Sequence, residues 1–308
     1  MASLKELKTR ISSVKSTQKI TSAMKMMSIA RLKKAQLAIK NAMPFSQAMH
    51  DVSNKILFEI KLYEKIHNTK VILPEIISGK IEDNNTHLLF VFASDRGLCG
   101  NYNSEISKTA SKIIKKLEDD GKNIKIITVN KKATDSIKRL YPDYLIKSID
   151  NIGKEKSSYE ETKEFSQEVL DMFENGEISS CSAVYTQYVS AVKNQILHDD
   201  LLPLKFEEKE ASFKIEDNPN VINNAWFDFE PNSVEILKQS ADNIFTSKLY
   251  EIVANAQCSE HSKRMMSMDS ATNNAADMIN DLSLVYNRTR QAAITTELVE
   301  IISGAEAL

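Results

Sequence analysis

The stretch "SDRGLCGNYN" (residues 94–103) is the part of this chain best suited to chemistry, a glycine-bearing loop between a predicted strand and a predicted helix. Loops of this kind hold phosphates where backbone N–H groups converge at a helix N-terminus. The spacing is neither GxGxxG nor GxxxxGK(S/T), and no lysine follows to reach a phosphate, so the residues favour a tight turn. The histidines stand at 50, 67, 87, 198 and 261, with no HExxH and no pair at ligand spacing. No metal site is expected from them. Cys99, Cys181 and Cys258 are far apart and form no CxxC pair, which fits free thiols in a reducing compartment. The methionine groups Met24–Met26–Met27 and Met265–Met266–Met268 read first as flexible filler at helix contacts. No catalytic constellation emerges, and no cofactor is expected.

The elements that carry these residues differ sharply in texture. All seven glycines fall at 79, 97, 100, 121, 153, 176 and 304, and no proline follows Pro231. Residues 232–303 can therefore run as one helix, a rod of roughly 105 Å. The N-terminal helix is shorter, with a bend expected at Pro44. Between them "HLLFVFAS" (87–94) and "IKIITVN" (124–130) read as buried strands, a weaker strand lies near 145–149, and 181–191 with 194–204 read as a closing pair. Helices are expected from the glycine loop to about Asp120, over "KKATDSIKRLYP" and over 158–174. Strands alternating with helices imply an α/β domain with a mainly parallel sheet. The chain thus divides into an N-terminal coiled-coil helix (1–60), a connector (61–86), an α/β domain (87–204), a second connector (205–230) and a long C-terminal helix (231–308). If both helices leave the same side of the insert they run antiparallel, and the longer one projects past Met1.

Both helices carry heptad seams. The first reads Leu4, Leu7, Ile11, Val14 and resumes as Leu32, Ala35, Ile39, Ala42, but between them the seam positions hold Gln18, Thr21, Lys25 and Ser28. The apolar residues there have moved one place, to Ile20, Met24 and Met27, about 100° around the helix. The C-terminal seam reads Met268, Ala271, Ala275, Met278, Leu282, Val285, Thr289, Ala292, Thr296, Val299. Its small residues permit close approach but weaken a free-standing coil. The tail "ITTELVEIISGAEAL" has no basic residue and is apolar nearly all round, which implies enclosure by a partner.

Charge is unevenly spread. Residues 1–40 hold ten bases against Glu6 alone, a net +9, which leaves −11 for the rest of a chain whose total is −2. A basic arm of this kind admits three readings besides a plain solvated face. A transit peptide is basic and acid-poor, yet the helical pattern here runs past any plausible cleavage point. Nucleic-acid binding lacks a stacking platform, since no aromatic precedes Phe45. The third reading is a basic face meeting an acidic protein surface. Hydrophobic content is 42%, and no window approaches the ~18 consecutive apolar residues of a membrane span.

Five segments carry a specific resemblance: "TQKITSAMKMMSIARLKKAQ" (17–36), "SDRGLCGNYN", "FEP" (229–231), "SEHSKRMMSMDSATNNA" (259–275) and "YNRTRQAAITTELVEIISGA" (286–305). In order and spacing they resemble the gamma subunit of F-type ATP synthases. Residues 105–228 match only in pattern, and Asn101 stands where that family often has a second small residue. The regulatory cysteine-pair insert of chloroplast relatives is absent.

The resemblance implies an antiparallel two-helix coiled coil bearing an inserted Rossmann-like α/β domain, with no active site of its own. It implies a rotor that couples proton translocation to ATP synthesis, inside a ring of alpha and beta subunits, with the epsilon subunit and the c-subunit ring as further partners. Neither nucleic acid nor a small-molecule substrate is implied. Carried over residue by residue, its ring-contact positions are Met24, Lys25, Arg264, Arg290, Gln291, Thr295 and Glu297. The displaced stripe and its lysines are then expected to face the beta subunits; a local stutter with the methionines packed on the C-terminal helix is the alternative. Without a visible presequence, the expected location is the cytoplasmic face of a bacterial inner membrane, with the mitochondrial matrix face as the alternative. A competing function is an α/β nucleotide-binding enzyme with a coiled-coil arm, which would need a phosphate loop or an acid/base pair.

Overall fold

A computed structural model describes residues 3–79, 85–150, 152, 159–206 and 233–306. The chain forms two compact units. One comprises Leu32–Gly97 and Asn101–Glu260; the other comprises Met1–Arg31, Leu98–Gly100 and His261–Leu308. Two long helices, α1 (Leu4–His67) and α6 (Ser233–Glu306), contribute to both.

The larger unit is built on five strands: β1 (Thr86–Phe92), β2 (Asn123–Val129), β3 (Leu145–Ile149), β4 (Ser180–Tyr188) and β5 (Asn194–Leu202). Their order is β3-β2-β1-β4-β5. The first three pairings are parallel, and only β5 runs antiparallel, against β4. Every residue of β1 is buried, as its unbroken apolar run and central place require. The edge strand β3 buries none of its five residues. A short helix α2 (Glu75–Ser78) precedes β1, and helices α3 (Tyr102–Asp119), α4 (Lys131–Leu140) and α5 (Tyr159–Glu174) follow β1, β2 and β3. Amphipathic spacing explains α3, which buries Tyr102, Ile106, Ala110, Ile114 and Leu117.

One face of the sheet contributes Leu88, Phe90 and Phe92 to a core shared with Phe165, Val169 and Phe173 of α5 and with Ala241, Phe245, Leu249 and Ile252 of α6. The same unit takes Ile56, Leu57 and Ile60 of α1 against Leu237. Helix α1 continues through Pro44 and stops at His67, where Asn68 takes φ +52°. A left-handed asparagine there is a recurrent helix stop.

In the smaller unit α1 begins with a capping box. Ser3 N–H donates to Glu6 Oε2 at 2.9 Å and Glu6 N–H donates to Ser3 Oγ at 3.2 Å. Two orphan donors of the first turn are thereby satisfied reciprocally. The helices run antiparallel here: Lys25 Nζ reaches Asp269 Oδ1 at 2.6 Å, and four residues earlier Thr21 pairs with Thr272, three residues later, at 2.8 Å.

Candidate functional site

The glycine loop proves to be a turn held by its own polar groups. Ser94 N–H donates to Asn103 Oδ1 at 3.0 Å, and the Ser94 hydroxyl lies 2.7 Å from the Arg96 carbonyl. Gly100 takes φ +61°, which a side chain would strain. Leu98 adopts a similar φ of +65° and is exposed, while Cys99 is buried.

A polar cluster that no motif announced lies in the larger unit. His87 Nδ1 is 2.7 Å from Ser180 Oγ, its Nε2 is 2.7 Å from Ser182 Oγ, and His198 Nε2 is 2.9 Å from that same hydroxyl. Burial first, then Lys122 and His198, lowers the His87 pKa to about 4 against a weaker opposing pull from Asp200. A neutral ring donates from one nitrogen and accepts at the other, and rotatable serine hydroxyls suit both. His87 and Ser182 are buried, so the cluster secures neighbouring strands without access to a substrate. The thiols are equally inert. Burial raises Cys181 strongly and pushes Cys258 up to about 12, far from the thiolate a nucleophile needs.

The seam of the smaller unit does not shift with the apolar residues, although the alternative of a local stutter required such a shift. Thr21 and Ser28 are buried and Gln18 and Lys25 are half-buried, so the first seam keeps its register from Leu4 to Leu32. Hydrogen bonding makes this tolerable: the Ser28 hydroxyl donates to the Met24 carbonyl at 2.8 Å, and Thr21 and Lys25 meet Thr272 and Asp269. The displaced stripe consequently stands outside. Ile20 is 60% exposed and Met27 56%, with Met24 half-buried between them. The methionines are therefore not enclosed by the second helix. The later α6 seam also differs, for Met278 and Val285 are exposed while Ile279, Leu282, Tyr286, Thr289 and Ala293 are half-buried. Beyond Ala293 every described side chain up to Ala305 is exposed.

The candidate contact residues do not gather into one pocket. Met24 and Lys25 lie level with Asp269. Arg264, five residues before Asp269 on α6, is buried with Nη1 3.5 Å from His261 Nδ1. Arg290, Gln291, Thr295 and Glu297 are exposed, and the Thr295 hydroxyl donates to the Gln291 carbonyl at 2.9 Å. At 1.5 Å per residue, Arg290 stands about 30 Å along α6 from Asp269.

The ATP synthase family model matches residues 3–308. The ATP synthase gamma chain of Paramagnetospirillum magneticum is 38% identical over 308 residues, covering all of both chains. The chain belongs to the ATP synthase gamma chain family. The gamma chain of Pelagibacter ubique is 37% identical, again over the whole of both. A chain from the solved structure of the Tetrahymena thermophila mitochondrial ATP synthase central stalk and c-ring shares the fold. Its TM-score is 0.56 at 20% identity, covering 82% of this chain and 99% of that one. This gamma-family chain is a subunit of the ATP synthase complex, not its catalytic subunit. The competing enzyme reading falls with that full-length match. Among the described residues no helix is long and apolar enough to cross a membrane.

Sequence reasoning missed His261, Thr272 and Asp269. Burial first, then Arg264 and Arg31, lowers the His261 pKa to about 4. The signal for the other two was present in "MDSAT", where polar residues sit three apart beside an apolar seam.

Proposed function

We propose that this gamma chain is the rotating shaft that couples proton translocation through the c-subunit ring to ATP synthesis by the alpha and beta subunits. The observation that carries this reading is the end of α6. Ile294, Leu298, Val299, Ile301 and Ile302 are all exposed, around a helix that has run past its partner. An apolar helix bare on every side is normally sheathed by something larger, and a smooth apolar tail suits turning in a sleeve.

Coupling also needs inequality around the axis, since a ligand with no differential affinity shifts no equilibrium. The smaller unit supplies it. Ile20 and Met27 face outward beside the bases of a net positive segment, a surface complementary to an acidic loop of a beta subunit. Met24, Arg264, Arg290, Gln291, Thr295 and Glu297 are the proposed ring contacts, with Arg290 and Gln291 making directional polar bonds; Lys25, also expected there, is engaged by Asp269. The epsilon subunit and the c-ring are the proposed partners of the larger unit. The proposed location is peripheral on the cytoplasmic face of a bacterial inner membrane, or on the matrix face of a mitochondrial one.

The test is ATP synthesis by complexes reconstituted in vesicles under an imposed proton gradient. Losing a charge-assisted hydrogen bond costs about 1.5–3 kcal/mol, or roughly tenfold and more in rate. Arg290→Ala with Gln291→Ala should cut synthesis by about that factor while the complex still assembles. Wild-type synthesis by those complexes overturns the placement of the contacts.

A further inference from the structure

We infer that Lys25 and Asp269, together with Thr21 and Thr272, form a register lock that fixes how far α1 and α6 are offset along each other. The inference rests on the proposed shaft role, because the offset matters only if partners read both helices at once. Lys25 Nζ lies 2.6 Å from Asp269 Oδ1, and the Thr272 hydroxyl lies 2.8 Å from that of Thr21, its one proton shared with the Met268 carbonyl at 2.7 Å. Both contacts lie at the seam, where Thr21 is buried and the Lys25 and Asp269 side chains are 34% and 45% exposed.

The surrounding side chains give little resistance to sliding. Across this stretch α6 presents the buried Met268 and otherwise the small Ala271, Ala275 and Ala276, and α1 presents Gln18, Thr21 and Ser28. Small knobs make shallow holes, so apolar packing there discriminates poorly between registers. A polar pair discriminates sharply, because in any other register its members lose each other. A slip of one turn in one direction brings Lys25 level with Asn273 and Asp269 level with Ile29; in the other it brings Lys25 level with Met265 and Asp269 level with Thr21. Such a slip moves the helices by about 5.4 Å.

That distance has a functional meaning. The outward stripe of Ile20 and Met27 belongs to α1, whereas Arg290, Gln291, Thr295 and Glu297 belong to α6. Their spacing along the axis depends on the register, which the packing of Ile56, Leu57 and Ile60 on Leu237 also constrains. Lys25 and Asp269 are thus positioning residues that hold two contact surfaces at one separation. The polar gap in an otherwise apolar heptad pattern has its explanation here.

The test traps the register covalently in the full-length chain. Continuing the observed alignment brings Gln18 level with Ala275, and a one-turn slip brings it level with Ile279. Cysteines are placed at Gln18 and Ala275, or at Gln18 and Ile279, and disulfide formation is timed under copper–phenanthroline. The three natural thiols are buried and stay out of the reaction. With the native seam the 18–275 bridge should form at least roughly tenfold faster than 18–279. With Lys25→Leu and Asp269→Leu together the two rates should converge, while the urea midpoint holds or rises. The exchange Lys25→Asp with Asp269→Lys should restore the preference for 18–275, a rescue that a merely stabilising role does not predict. A preference that survives in the double-leucine chain overturns the lock. The outcome is read without the rest of the complex, so it fails separately from the shaft role, which the Arg290 and Gln291 experiment judges.

Discussion

Along the single helix α6, Phe245 and Leu249 are wholly buried among Phe90, Phe165 and Phe173, whereas Asp269 and Thr272 meet Lys25 and Thr21. The larger unit anchors the helix with apolar area, which is strong and non-directional. The smaller unit holds it through polar atoms, which contribute little net stability but demand one geometry. One stretch is therefore built for permanence and the other for accuracy. The histidines repeat the contrast: His87 is settled between two serine hydroxyls, while His261 lies beside two arginines.

The largest effect that could break this comparison lies in the aromatic core. Phe90→Ala should cost about 3–5 kcal/mol in urea unfolding, since the vacated space is lined by fixed rings from β1 and α5. A loss well under 1 kcal/mol would mean that the core does not dominate.

Acid should produce the next largest change. His87 takes up a proton near its ordinary 6.5 in the unfolded chain but only near about 4 in the fold. The unfolded state therefore binds protons first as pH falls, so stability present above 6.5 drains away between 6.5 and about 4. The loss from this residue approaches about 3 kcal/mol, and His261 adds to it in the same direction. Urea midpoints measured from pH 7 down to pH 4 should flatten in His87→Gln. An unchanged slope would reject burial of that ring as the cause.

The smallest effect sharpens the comparison at its bare end. Ile301→Ser with Ile302→Ser should change the stability of the chain alone by no more than about 0.5 kcal/mol, since both side chains already face water. Calorimetry on the free chain measures this directly, and a large loss would show that the tail is sheltered.

The fold was legible where a pattern had one physical cause. "HLLFVFAS" is apolar without alternation because β1 is covered on both faces, and the glycine-free run after Pro231 admits one helix because nothing interrupts it. The seam was legible only as a disturbance. Hydrophobic periodicity scores Gln18, Thr21 and Lys25 as leaving the contact, since it cannot register a side chain satisfied from the opposite helix 244 positions away, as Lys25 is by Asp269. The same blindness put Val285 inside, where Tyr286 is half-buried and Val285 exposed. His87 was missed because its partners, Ser180 and Ser182, come from a strand paired with its own, a neighbourhood that spacing along the chain does not encode.

The last turns of α6 contain no base, and Glu297 and Glu300 stand near its C-terminal end. That is the wrong sign of charge for the negative pole of a helix dipole. Left in water, each such charge in the last turn costs the helix about 0.3–1 kcal/mol. In the proposed sleeve, a wall that offers backbone N–H groups or cations to the tip would steady it most.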